Sequence, residues 1–412
     1  MNTNSKHGRS LVAVGAALTA FGAAGIDGAL AQAGTQSTAQ AGAIEEIIVT
    51  TRKREEALQD IPISIVAISA RQLEQLGLND LQDIARITPG LTFDRSISQN
   101  DFRPAIRGLQ AERGRNSVGV LIDDIDITSE GLAAPGGGGL ARQRLMDVER
   151  VEVVKGPQAA LYGRAAFGGA VNYITKRPSL TEGDLKAMVE VNSEAGYQVR
   201  ASGGAPVVQD KFGLRMNAYF WDERGSYRNT KSGAYVGGGD GAGIAAGFLA
   251  QATDNLSFYG RVEYSKEQLE PQAAFVLTGN TVVAFDADSN AAVPGTATST
   301  IIFTGPITNG TINFDINPRT GRDYPGMDQE TFRTTLITDW AFEGIDFKAL
   351  TSWVDNDIDI FQDNDFVSGS INGVVARGGF QETERIFGTR QFSQELRLSS
   401  NNESPLQWFF GG

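Results

Sequence analysis

The chain has 412 residues, 49 of them glycine, with no cysteine, one histidine and a formal net charge of −13. Glycine this frequent, without a collagen-like period, fits a turn-rich β protein, and the acidic balance excludes the cationic footprint of a nucleic-acid binder. The one histidine, His7, lies in a segment read below as cleaved, so imidazole bases, thiol nucleophiles and the usual zinc, copper and haem ligand sets are excluded from the mature chain. No paired-carboxylate motif stands in for them. The chain is therefore not expected to be an enzyme, nor to carry a metal or cofactor.

Lys6 and Arg9 form a positive start, residues 11–24 are uncharged and mostly apolar, and Ala29-Leu30-Ala31 gives a small-x-small site before Gln32. This predicts a Sec-type signal peptide over residues 1–31, cleaved after Ala31. The apolar run is too short and too rich in Gly and Ala for a comfortable membrane anchor. Residues 32–43 are Gln, Ala, Gly, Ser and Thr, which cannot bury enough to fold. They begin a flexible tether over 32–60 that delivers Glu46-Ile47-Ile48-Val49-Thr50, a β-prone peptide suited to recognition by strand addition. The alternative is that 47–50 is the first edge strand of the next domain.

Residues 61–178 read as a small α+β unit. Ser69 and Gln72 have capping-box spacing ahead of Leu73 and Leu76, with Gly77 as a stop. Asn79 is expected to cap a second helix carrying Leu81, Ile84 and Ala85, ended by Thr88-Pro89-Gly90. Strands are expected over 102–107, 118–125, 148–154 and 170–175. The glycines at 136–139 and between 156 and 169 lack the Gly-Lys-Ser/Thr of a phosphate loop and read as loop and close-packing positions. Asp123, Asp124 and Asp126 lack the spacing and terminal Glu of a calcium loop and read as a solvated or ion-paired strand end.

From 179 to 412 the pattern changes to alternating segments of about ten residues, the length a tilted membrane strand needs. Leu185, Ala187, Val189 and Val191 alternate with Lys186, Met188 and Glu190. Leu214, Met216, Ala218 and Phe220 alternate with Arg215, Asn217, Tyr219 and Trp221. Further strands are expected at 197–203, 243–252, 256–265, 331–342, 345–356, 391–399 and 406–412. Tyr219, Trp221, Tyr259, Tyr264, Trp340 and Trp353 suit interfacial girdles. After a short first turn, the connections alternate long and short, the asymmetry of an outer-membrane barrel. The count of about nine strands does not close a barrel, and open edges are not tolerated in lipid. This predicts that the chain is the N-terminal part of a longer protein.

Several motifs stand in one order. They are Thr88-Pro89-Gly90-Leu91-Thr92, Ile106-Arg107-Gly108, Val118 followed by Asp123-Asp124, and Asp147-Val148-Glu149-Arg150-Val151-Glu152. Lys155-Gly156-Pro157 and Gly168-Gly169 come next, before the Pro178 stop. This set resembles the plug of TonB-dependent outer-membrane receptors. One departure is Ile125, where the pattern usually has Gly after the Asp.

The resemblance implies an α+β plug domain followed by a transmembrane antiparallel β-barrel, incomplete in this chain, the parent having about 22 strands. It makes Glu46, Ile47, Ile48, Val49 and Thr50 the TonB box, with TonB and its ExbB/ExbD motor as partner. Arg107, Glu149 and Glu152 would form ion pairs within the plug or with the barrel wall. Loops 94–101, 110–117 and 128–140 would face the ligand, with Arg95, Arg113 and Arg115 for an anionic ligand and Phe102 for an aromatic one. The function implied is energised import across the cell outer membrane, foremost of a ferric siderophore. Oligosaccharide, cobalamin and a signalling role without transport remain open. A transducing role is disfavoured because 32–43 is too short to fold as an added domain.

Overall fold

The structure, a computed structural model, describes residues 48–50, 53, 56–57, 59, 61–95, 102–109, 116–128, 144, 146–163, 165–192, 195–271, 275–278, 283–285, 292–294, 300–303, 311–312, 314–363, 382–402 and 406–412. The expected signal peptide and leader, Glu46, Ile47, Arg113 and Arg115 lie outside these residues. Only the backbone is described for Ile48, Arg95 and Phe102.

The chain enters through a two-stranded hairpin of β1 (Ile48–Val49) and β2 (Glu56–Ala57). There follow β3 (Ser64–Ser69), α1 (Ala70–Gln75), α2 (Leu81–Ile87), β4 (Leu91–Arg95), β5 (Phe102–Ile106), β6 (Val118–Ile122), β7 (Ile125–Asp126), β8 (Val148–Lys155), α3 (Ala159–Tyr162) and β9 (Gly169–Thr175). A mixed sheet takes the order β3-β8-β9-β6-β7, in which only β6 and β9 run parallel, and β4 pairs with β5 apart from it. One face of this sheet packs Val151, Val153, Val171 and Tyr173 against Leu73, Leu81 and Ile84 of the helices. The other buries Leu121, Val154, Tyr162, Ala166 and Ala170. Cover on both faces explains why β8 and β9 hold apolar residues at successive positions rather than a strict alternation.

The local signals that start the helices are visible in atomic detail. Gln72 N donates to Ser69 Oγ at 3.4 Å and Ser69 N donates to Gln72 Oε1 at 3.0 Å, so the capping box forms. The cap of α2 falls one residue later than the sequence reading. Asp80 has the extended backbone of an N-cap and its Oδ1 accepts from Asp83 N at 3.0 Å, whereas the Asn79 side chain turns back to the Gly77 carbonyl.

The second part is one large sheet. It contains β10 (Asp184–Val191), β11 (Tyr197–Val208) and β12 (Phe212–Glu223). After the short β13 (Tyr227–Asn229) and β14 (Tyr235–Val236) come β15 (Gly239–Thr253) and β16 (Leu256–Leu269). The next connection carries β17 (Phe275–Thr278), β18 (Val283–Phe285), β19 (Ala292–Pro294), β20 (Thr300–Phe303) and β21 (Thr311–Ile312). Then follow β22 (Gly326–Phe342), β23 (Ile345–Asp363), β24 (Glu382–Ser400) and β25 (Phe409–Gly411). Among the described residues the sheet has nine strands in the order β10-β11-β12-β15-β16-β22-β23-β24-β25, each antiparallel to its neighbour. That count agrees with the sequence reading.

Its polarity is inverted relative to a soluble sheet. Leu185, Val189, Val262, Phe332, Leu336 and Leu396 are exposed on the outer face, while Arg215, Arg261, Glu263, Arg333 and Arg397 are buried on the inner one. Water offers no reason for that arrangement; a hydrocarbon surround does.

Two readings need correction. Tyr219, Trp221 and Tyr259 are not girdle residues: they are buried, facing inward, whereas Tyr264, Trp340 and Trp353 face out. Parity decides this, because Tyr219 and Trp221 sit two and four residues after Asn217 and so share its inward face. The strands are also longer than the sequence suggests. β23 and β24 each run 19 residues, because backbone pairing continues past the lipid-facing apolar stretch into segments such as Asp355 to Asp359, where the outer face is polar and the apolar residues of the alternation face inward.

Candidate functional site

Where the chain enters, the hairpin of β1 and β2 lies on the floor of the first domain. Val49 is fully buried. The next residue, Thr50, donates its backbone N–H to both carboxylate oxygens of Glu152, at 3.0 and 3.1 Å, and its hydroxyl lies 3.3 Å from Oε1. Glu152 is itself buried in β8 and is held from its other side by Arg150 Nε at 2.8 Å. Burial pushes the Glu152 carboxyl up, against the pull of Arg150 and of the Thr50 N–H. A buried acceptor is thus spent on a backbone donor of the entering segment, across 102 residues of sequence.

Three residues on, Lys53 has left-handed backbone geometry (φ 63°) in a turn closed by its N–H to the Thr50 carbonyl at 2.9 Å. This turn aims its side chain into the domain. Its Nζ lies 3.2 Å from Asp124 Oδ1 and 4.2 Å from the centroid of the Tyr162 ring. Asp124 also accepts from Asn172 Nδ2 at 2.8 Å and from Arg397 Nη1 of β24 at 2.7 Å. Arg397 is fixed in turn by the Glu395 carboxylate. Burial raises the Asp124 carboxyl, but Lys53 and Arg397 outweigh it and hold it well below the usual carboxylate range. Entering segment, first domain and wall meet at this one carboxylate.

Further ties run up the inner face of the sheet. Arg215 grips Asp147 through Nη2 at 2.9 Å and Asp184 through Nη1 at 2.7 Å. Asp123 accepts from the Thr175 N–H and hydroxyl, and that hydroxyl lies 2.8 Å from Tyr259 OH. Burial pushes the Asp123 carboxyl up, although both Thr175 bonds oppose it. Gln391 Nε2 donates to the Asp126 carbonyl at 2.9 Å. Beside α1 a cavity of about 300 Å³ is lined by Leu73 and Glu74 and by Lys186, Arg200 and Asn217 of β10, β11 and β12, with Lys186 ion-paired to Glu74 at its edge. The buried Asn217 amide has no hydrogen-bond partner among the described residues, so water is its natural one.

Of the residues singled out in the sequence, Glu149 and Glu152 flank Arg150 and both pair with it, Glu149 at 2.7 Å. Arg107 lies apart: it is exposed, has positive φ (54°) and makes no ion pair among the described residues. Arg95 and Phe102 are backbone partners at the end of the β4–β5 ladder. Asp124, read from the sequence as part of a solvated or ion-paired strand end, pairs with Lys53 and Arg397; Lys53, Asp147, Arg215 and Arg397 join it in the domain-to-wall contacts without having been read as charge partners. Asp123, Asp124 and Asp147 all have positive φ, a conformation that Asp tolerates better than most residues, and Asp124 stands just before the Ile125 departure.

Residues 57–170 match the family described as "TonB-dependent Receptor Plug Domain". Residues 57–170 form a plug domain of that family. Similar curated proteins include the vitamin B12 transporter BtuB of Vibrio vulnificus, 30% identical over 39% of this chain and 26% of that protein. The ferric enterobactin receptor PirA of Pseudomonas aeruginosa is 27% identical over 89% of this chain and 46% of that protein. The chain thus spans half or less of the length of these relatives. Among solved structures, the ferric yersiniabactin uptake receptor FyuA from Yersinia pestis superposes with a TM-score of 0.61 at 18% identity, covering 85% of this chain and 47% of that one. At that identity the likeness shows the fold: a plug followed by receptor-type barrel strands. In these terms Asp124–Arg397 and Asp147–Arg215 are plug-to-wall ties, and β1 belongs to the segment leading into the plug.

Proposed function

We propose that this protein is a TonB-dependent outer-membrane receptor that imports a ferric siderophore. The observation that carries the proposal is the charged contact between the entering segment, the plug floor and the inner wall. Force applied to residues 46–50 has a route into the plug through Thr50–Glu152 and Lys53–Asp124. Glu46, Ile47, Ile48, Val49 and Thr50 act as the TonB box, pulled by TonB with its ExbB/ExbD motor. Binding is reversible and needs no covalent step. Arg95, Phe102, Arg113 and Arg115 contribute to the ligand-facing surface, and the pairing of Arg95 with Phe102 at the end of one ladder favours a shared site.

Iron stands first because relatives are named for ferric enterobactin and ferric yersiniabactin. Cobalamin is the second reading, because another relative is named a vitamin B12 transporter. A deletion strain, tested for uptake of radiolabelled iron on a panel of catecholate, hydroxamate and mixed siderophores and for labelled cobalamin, separates the two. Loss of uptake for one siderophore class supports the proposal. Unchanged iron uptake across the panel with loss of cobalamin uptake overturns it.

The location follows from the apolar outer face and the expected export signal. N-terminal sequencing of the outer-membrane form is expected to start at Gln32. A main species beginning at Met1 would contradict export by that route.

A further inference from the structure

We propose that the cavity between α1 and the wall strands β10, β11 and β12 is a binding site for a small organic hydroxycarboxylate with an apolar body, held by Arg200 and Asn217. The proposal rests on the fold and not on the transport reading.

Strand register builds the polar side of the site. Lys186, Ser202 and Asn217 are successive cross-strand partners on β10, β11 and β12, so an ammonium, a hydroxyl and an amide stand in one row on the inner face. Arg200 stands in the next row, between Met188 and Tyr219. It is thus the diagonal neighbour of Asn217, about 7–8 Å away at the backbone, a span that one small solute bridges. The plug adds Leu73 and Leu78, an apolar part of the lining.

The carboxylates of the lining are already paired. Asp147 and Asp184 hold Arg215, and Glu74 holds Lys186. Arg200 differs, because its ion pair with Glu190 spans 3.5 Å at Nη2 and its buried Nε has no partner among the described residues. Asn217 is only 4% exposed, and neither its Oδ1 nor its Nδ2 has a partner among the described residues. A cationic donor and an amide donor call for an acceptor that carries negative charge, while the amide oxygen calls for a donor beside it. A carboxylate with a neighbouring hydroxyl answers both. The void of about 300 Å³ has the volume of roughly ten waters. Water fills the same bonds but leaves the guanidinium without a counter-charge. A solute that reproduces those bonds and covers Leu73 and Leu78 gains over it. Lys186 and Glu74 at the edge are partly exposed, which gives such a solute access.

The probe is radiolabelled mandelate, measured by equilibrium dialysis against the full-length receptor purified in detergent. Saturable binding of one mandelate per receptor is expected. Phenylacetate lacks the hydroxyl and mandelamide lacks the charge, and each should bind at least about tenfold more weakly. Arg200→Gln and Asn217→Leu should each weaken mandelate binding at least about tenfold. Ser202→Leu, which fills the cavity from β11 without altering either bonding residue, should give the same loss and stands in for a variant that fails to fold. The comparison of the three solutes on the parent protein needs no substitution at all. Absence of saturable binding, equal binding of the three solutes, or full mandelate affinity in a folded variant overturns the proposal. Displacement of mandelate by an equal concentration of inorganic phosphate does so too, since it would mark a site for any anion. Neither TonB nor a siderophore enters this measurement, so its failure is distinct from a failure of the transport reading.

Discussion

Gly169→Ala should prevent the plug from folding, at a cost above about 3 kcal/mol. Gly169 opens β9 with φ 145°, a backbone conformation that L side chains rarely adopt. A Cβ placed there would overlap the Val154 carbonyl oxygen and sit 2.6 Å from Ile106 Cδ1. Both are fixed, one by the β8–β9 ladder and the other by the core, so neither can yield cheaply. Gly163 is the matched control. It also has positive φ (79°, with ψ −179°), but a Cβ there meets nothing within 4 Å, so Gly163→Ala should cost backbone strain alone, about 1–3 kcal/mol, without the clash. The check is protease resistance and thermal unfolding of the receptor in outer membranes. Loss of the protected plug fragment is expected for Gly169→Ala and not for Gly163→Ala. Equal behaviour would mean that the close approach of β9 to Val154 is not a constraint.

The second large effect is functional. Ile48→Pro should abolish energised uptake while leaving ligand binding within about twofold. Proline removes a backbone donor and restricts the residue before it, which defeats recognition of an extended peptide by strand addition. Among the described residues the Ile48 backbone pairs with Ala57 in the two-residue hairpin, outside the main plug sheet. Binding and uptake of the same siderophore, measured on one membrane preparation and in cells, separate the outcomes. Equal loss of both would place Ile48 in the fold rather than in coupling, the edge-strand alternative left open by the sequence.

Much of the architecture was legible because it is written in local patterns. The Ser69/Gln72 capping box, the period-2 alternation around Arg215 and Asn217, and the Gly168-Gly169 pair each point to one local structure and are found in it. The pattern failed where lipid no longer imposes it. β24 starts at Glu382 although alternation is evident only from about residue 391, since the apolar residues of its upper part, Ile386 and Phe387, stand at adjacent positions on opposite faces. The inward aromatics Tyr219 and Trp221 were misplaced because aromatic type was weighed above strand parity; Glu267 holds both through their polar atoms, which favours the inner face.

The plug-to-wall ties were the least legible part. Asp124 and Arg397 lie 273 residues apart, and neither stands in a motif that names its partner. Lys53 looked like one charge among Arg52, Arg54, Glu55 and Glu56. Only the turn at Thr50 and the fold of β6, β7 and β24 select it. Long-range pairing of charges is set by topology, and the sequence supplies the charges without the distances.

The central claim is that residues 46–50 are the segment that TonB engages. The most direct measurement is binding of the purified periplasmic C-terminal domain of TonB to the detergent-solubilised, siderophore-loaded receptor, compared between the parent protein and Ile48→Pro. Saturable one-to-one binding by the parent, weakened at least about tenfold in Ile48→Pro, is the predicted result. No binding by the parent, or equal binding by the two proteins, would contradict it.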